Sequence, residues 1–178
     1  MLGILRQFVR ALTGKVDALE FSLGILFGIL LGLIPSTAVD PSAGLLGLNG
    51  LWLSLTFVLL LLRASIPICL LFLGLSKMLG ILFLDQASFR LGQSLLDGAL
   101  SQSMVEGFAT GIPSWQLHTY WGAGATAMAL LISIPVFLLS YLVMRTKLPK
   151  WREGFGQTRI ARILGGFFLF RIIGRLLA

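Results

Sequence analysis

Apolar residues run through this chain in long blocks, and the polar breaks between them lay out its architecture. The blocks occupy about residues 17–34, 43–62, 66–84 and 122–144; against the ~20 residues that cross the hydrocarbon of a bilayer the first is short, and it could cross with local thinning or enter only part way. Pro35, Asp40 and Pro41 break the helix after the first block and make a polar turn. Arg63-Ala64-Ser65 turns the second block into the third, and Pro67 stands near the start of the third, where proline is tolerated. Residues 85–120 have a different texture. Phe89, Leu95, Leu96, Ala99, Met104 and Phe108 recur at roughly helical spacing among polar residues, predicting one or two amphipathic helices before a turn at Gly111-Ile112-Pro113. Pro135 predicts a kink in the last block.

Both ends of the chain are basic. In residues 1–16, Leu2, Leu5, Val9, Leu12 and Val16 share one helix face opposite Arg6, Arg10 and Thr13. That is the pattern of a helix lying flat on an anionic membrane surface, and it has no small-residue cleavage site of a removable signal peptide. Residues 145–178 carry eight basic residues against Glu153 alone, and Gly165-Gly166 divides them. Arg159, Arg162, Arg171 and Arg175 are too costly in hydrocarbon for a fifth span, so this tail reads as an amphipathic surface helix.

Composition fixes the class. Of 178 residues, 57% are hydrophobic and only 12% charged, with a mean hydropathy of +0.95. A soluble domain of that length cannot hide so much apolar surface. The expected fold is an all-α integral membrane protein with about four transmembrane or re-entrant helices plus amphipathic interfacial helices. The first two blocks are the ones that could instead form a re-entrant hairpin against a protein wall. The net charge of +7 flanks the apolar blocks instead of forming a nucleic-acid stripe. Arg6, Arg10 and Lys15 together with the basic tail therefore place both termini in the cytoplasm, with Arg63 at a cytoplasmic turn and the acidic segment 85–120 outside.

Gly24, Gly28 and Gly32 stand four apart on one face of the first block. Such a strip lets another backbone approach closely. With Pro35 it reads either as tight packing against the second or fourth span or as a lateral opening for lipid.

Three polar residues are candidates for a headgroup or an intramembrane role. Arg63 could grip a phosphate bidentately or serve only as a topology charge. Lys77 lies about 12 Å inside the third block at 1.5 Å per residue, and intramembrane charges mark function unless the side chain snorkels out. Asp40 is the acidic partner considered for it. Asp85, Arg90, Asp97, Glu106 and Trp115 form a candidate docking surface, and Trp115, Tyr120 and Trp121 a candidate interfacial belt. His118 reads as a proton-relay group or an interfacial hydrogen-bonding histidine. Cys69, the single cysteine, excludes an internal disulfide and reads as a small buried hydrophobe. No facing carboxylates, metal-ligand cluster, phosphate-binding glycine loop or nucleophile with a base stands out, so no cofactor or metal is expected and an enzyme would have little to work with.

The run Gly24-x3-Gly28-x3-Gly32-x2-Pro35, followed by an apolar hairpin with Arg63 at its turn, resembles an uncharacterised family of small bacterial inner-membrane proteins related to a broader membrane domain of unknown function. Asp85-x4-Arg90-x-Gly92 and the Pro113-x-Trp115 turn are similar to the same pattern, and the resemblance covers about residues 15–147. Ser65, His118 and Thr119 stand where members often carry asparagine. The resemblance implies a protein of bacteria with two membranes, often encoded beside a long β-rich protein like the bridge-type lipid-transfer proteins of the periplasm.

The expected function is therefore a non-catalytic inner-membrane component of phospholipid transport. Its partners would be membrane lipids (anionic phospholipid at the basic face), a periplasmic bridge-type protein and a homo-oligomeric copy, and no nucleic acid. The alternatives are a small solute or ion transporter or channel subunit and, further off, a membrane-embedded lipid-modifying enzyme.

Overall fold

The computed structural model describes residues 17–155 apart from Pro41 and Ala43. The amphipathic helix expected over residues 1–16 and the part of the basic tail beyond Phe155 lie outside the described residues. Among the described residues every regular element is helical. They are α1 (Ala18–Leu33), α2 (Gly50–Leu61), α3 (Ile66–Leu79), α4 (Asp85–Ser94), α5 (Gln102–Gly111) and α6 (Tyr120–Phe155). A π-helical turn, Gly80–Leu84, joins α3 to α4, and a second, Leu95–Ala99, closes α4, so one continuous helix runs Ile66–Ala99.

Local chemistry sets these boundaries. Asp17 caps α1 by accepting the Ala18 amide at 2.7 Å, and Pro35 stops the helix just past Ile34. The second helix begins at Gly50, seven residues later than the apolar pattern indicates. Residues 44–48 instead make a tight turn, with Leu46 and Gly47 at positive φ, and buried Asn49 caps α2 by accepting the Leu51 amide at 2.9 Å. The third block does not end at Leu84 but carries on through the π turn into α4. The last helix continues through Pro135 to Phe155.

Two helices, Ile66–Ala99 and Tyr120–Thr146, are long and apolar enough to cross a membrane. The helices α1 and α2, at 16 and 12 residues, are shorter apolar ones. The centre of the bundle is α1, sandwiched between α3 and α6, with ten of its residues buried. Ile25 and Ile29 pack on Ile68, Phe72, Ile132 and Val136. On the other side Leu30 and Ile34 meet Leu51 and Ala129, and Phe27 and Leu31 meet Cys69, Trp52 and Leu55. The Trp52 indole N–H donates to the Leu31 carbonyl at 3.0 Å, fastening α2 to α1.

The sequence of contacts along these helices gives direction. Gly24, Gly28 and Gly32 meet Ile68, Phe72 and Ser76 in turn, so α1 and α3 are parallel. Gly124 meets Ser88 while Ile132 and Val136 meet Ile25 and Ile29, so α6 is antiparallel to both. One end of the bundle therefore holds the start of α1, the Arg63 turn and the distal part of α6. The opposite end holds residues 34–49 and 85–120.

The outward faces of α2, α3 and α6 are apolar. Phe57, Leu60, Leu61, Leu70, Met78, Leu82, Phe83, Leu131, Leu138 and Leu139 are all exposed. Exposed apolar surface of this extent is rare on a protein facing water.

Candidate functional site

The glycine strip is a closed seam. A Cβ at Gly28 would stand 2.7 Å from the Cys69 carbonyl oxygen and 2.6 Å from the Phe72 Cβ, and one at Gly32 would stand 2.6 Å from the Ser76 Cβ. The neighbour is the third helix, α3, and not the second or fourth span expected from the spacing. Four-residue spacing identifies a face but not the helix that covers it. A second seam of small residues lies at the other end. Gly92 meets the Tyr120 carbonyl and Gly124 meets the Ser88 carbonyl so closely that a Cβ at either would collide with backbone.

Between these two seams the helices stand apart and leave a half-open cavity of about 310 Å³. Lys77, Gly80, Ile81, Leu84, Asp85 and Ser88 line one wall of it, spaced as one face of the continuous helix through its π turn. Turns of this type are frequent at functional sites. Gly32, Leu33, Trp121 and Ala125 form the facing walls, and Pro35, Thr37 and Val39 form the roof. Lys77 is half-buried and Asp85 exposed, and among the described residues neither takes part in an ion pair. The cavity thus carries one cation, one anion, two hydroxyls and an indole on an otherwise apolar frame.

A second cavity of about 260 Å³ adjoins the first between α1, α3 and α6. Its lining is almost wholly apolar, with Ile29, Phe72, Leu75, Leu79, Ile132 and Val136, and it shares Leu33 and Leu84 with the charged cavity. The charged cavity and the apolar groove therefore lie side by side, with Leu33 and Leu84 lining both. A ligand that fits both has a polar head and an aliphatic tail.

The roof is held by a residue that the sequence pattern does not mark. Gln116 is fully buried at φ 59°. Its side-chain carbonyl accepts the amides of Val39 and Asp40, and its side-chain amide donates to the Asp40 carbonyl at 2.8 Å. A glutamine in a polar turn looks ordinary in a sequence. Only its neighbours show that it pins residues 39–40 over the cavity.

The remaining predicted site residues are dispersed. Arg63 is exposed at the far end, beside a turn in which the Ser65 amide donates to the Glu20 carbonyl at 3.1 Å. Asp40 sits in the loop, its carboxylate accepting from the Ser42 amide at 2.9 Å and hydroxyl at 2.6 Å. Of the docking candidates, Asp85 lines the cavity. Arg90 is exposed in a shallow hollow with Gln86, Phe89 and Trp121. Asp97 accepts the Tyr120 hydroxyl at 2.9 Å, and Glu106 accepts the Gln102 amide at 3.2 Å. Trp115 packs inward on Leu30, Ile34, Leu51 and Ala129. His118 has a buried Nδ1 without a hydrogen-bond partner among the described residues. Cys69 is buried under Gly28. No group of three metal-ligating side chains occurs among the described residues. Compared with known proteins, the chain matches no family model, no curated protein and no solved structure.

Proposed function

We propose that the chain is a non-catalytic inner-membrane component of a phospholipid transport system that anchors, or feeds lipid to, a bridge-type partner in the periplasm. The observation that carries this reading is the adjacency of the charged cavity and the apolar groove, which have Leu33 and Leu84 as common lining. Sites for small molecules are mostly apolar with a few placed polar groups, and this pair has the two-part character of a lipid.

The exposed apolar faces of α2, α3 and α6 support burial in a bilayer. The basic residues at both ends of the sequence then face the cytoplasm and meet anionic headgroups, and the opposite end of the bundle, with residues 85–120, faces the periplasm. At 16 and 12 residues, α1 and α2 are short of a full crossing, and α1 lies covered by α3 and α6. Both features support a re-entrant hairpin whose first arm is shielded by protein. Arg90, Asp97 and Glu106 are exposed on the periplasmic side and form the docking surface of this reading.

Gentle purification of the whole protein from its native membrane, followed by mass spectrometry of what accompanies it, tests both halves. Retained phospholipid together with a large β-rich protein is the expected result. The charge-reversing pair Arg90→Glu and Glu106→Lys is expected to release the protein partner but not the lipid. Protein that comes away with neither lipid nor partner would sink the reading.

A further inference from the structure

We infer that the cavity selects a zwitterionic phospholipid, one whose headgroup carries a phosphate and an ammonium a short link apart, with Lys77 taking the phosphate and Asp85 with Trp121 taking the ammonium. The inference rests on the lipid-handling reading and specifies its ligand. Three observations carry it.

The first is charge. The cavity holds one cation and one anion, not joined as an ion pair, so its complement is a ligand with one charge of each sign. A net-anionic headgroup would satisfy Lys77 but would face Asp85 as a like charge. The second is order. Along the helix, the apolar groove is lined from Phe72 to Leu84 and the charged cavity from Lys77 to Ser88, so the two overlap but the groove is centred earlier, and within the cavity Lys77 comes before Asp85. Acyl chain, phosphate and ammonium follow in the same order along a phospholipid. The third is the indole. Trp121 lines the charged cavity and also shares the neighbouring hollow with Asp85. An aromatic face beside a carboxylate is how proteins hold ammonium groups, by cation–π attraction added to ion pairing.

The test uses the full chain, in detergent, exposed to equal amounts of phosphatidylethanolamine, phosphatidylcholine and phosphatidylglycerol with identical acyl chains, with bound lipid counted by native mass spectrometry. The wild type is expected to retain the two zwitterionic lipids at least fivefold over phosphatidylglycerol. Asp85 makes no hydrogen bond or ion pair among the described residues, so Asp85→Asn leaves the fold intact. It is expected to bring the three lipids within twofold of one another, while Asp85→Glu keeps the preference. Lys77→Met is expected to lower all three together.

Equal retention by the wild type, or an unchanged preference in Asp85→Asn, overturns the headgroup assignment and leaves lipid handling standing. Retention of no lipid at all overturns both. Free O-phosphoethanolamine competing as well as intact phosphatidylethanolamine would make the ligand a water-soluble zwitterion and overturn the lipid assignment.

Discussion

Along the helix Ile66–Ala99, two stretches meet their neighbours through backbone and the stretch between them does not. From Ile68 to Ser76 the contact is the Gly24, Gly28 and Gly32 seam, and from Ser88 to Gly92 it is the backbone around Tyr120 and Gly124. Between Lys77 and Asp85 the neighbours are Leu33, Trp121 and the roof loop, and space remains. Within a bilayer no hydrophobic force draws helices together, so small residues that allow close van der Waals contact do that work. Where both flanks of a stretch are clasped in this way, the middle cannot close by sliding. A cavity then persists without a ligand to hold it open, and it can bind one without first paying to open.

The strongest attack on this contrast is to break a clasp. Gly92→Leu places a side chain on the Tyr120 carbonyl, which is backbone and has no rotamer to change. A loss of about 3 kcal/mol or more is expected, at the upper end for overpacking. It is read as early thermal unfolding in detergent and loss of the monodisperse peak. Gly74→Leu, with nothing within 4 Å, is the control and is expected to unfold with the wild type. Equal behaviour of the two would remove the distinction between clasped and open stretches.

Gly28→Ala is the milder version at the other clasp. Its methyl would need Phe72 and the Cys69 carbonyl to yield by several tenths of an ångström, with an expected cost of about 1–2 kcal/mol. The same thermal unfolding in detergent measures it, and a midpoint equal to that of the wild type would show that this clasp is loose.

Gln116→Ala sharpens the comparison from the side of the cavity. It removes the acceptor for the Val39 amide and the donor to the Asp40 carbonyl. Leaving buried polar groups without partners costs about 1–3 kcal/mol. Amide exchange should accelerate at Val39 and Asp40 but not at Gly28 or Gly92. Acceleration everywhere would mean that the roof and the clasps are one cooperative unit, and the contrast between them would fall.

These elements differ in how plainly the sequence displays them. The strip at Gly24, Gly28 and Gly32 is written in spacing, and so is the turn at Arg63. Asn49 before an apolar run is a capping signal strong enough to move the start of α2 to Gly50, but the glycines at 44 and 47 pull the eye into the turn. That α1 packs on α3 is not legible, because periodicity reports a face and says nothing of which helix covers it. Lys77 stands out as a charge in an apolar block. Asp85, two turns on and lining the same cavity, could have been found by the same stripe of spacing, whereas Asp40 is drawn away to Ser42. Gln116 could not have been found this way, because its role depends on a positive φ and on a loop 76 residues earlier.

The smallest expected effect concerns the tip of that roof loop. Leu45 and Leu48 exchange backbone hydrogen bonds of 3.0 Å across Leu46 and Gly47, both at positive φ. A two-residue turn of this kind favours asparagine or glycine at its first position, and leucine there is strained by about 1 kcal/mol. The leucine is also fully exposed, so no packing within the chain offsets the strain. Leu46→Gly is therefore expected to raise stability in detergent by up to about 1 kcal/mol. In lipid nanodiscs the gain should shrink if the tip rests among acyl chains, since glycine gives up the apolar surface that leucine buries there. An equal gain in both settings would place the tip in water. The loop over the cavity would then be held by Gln116 and by the backbone bonds from Ala38 to Gly47 and from Asn49 to Ser36, without help from lipid.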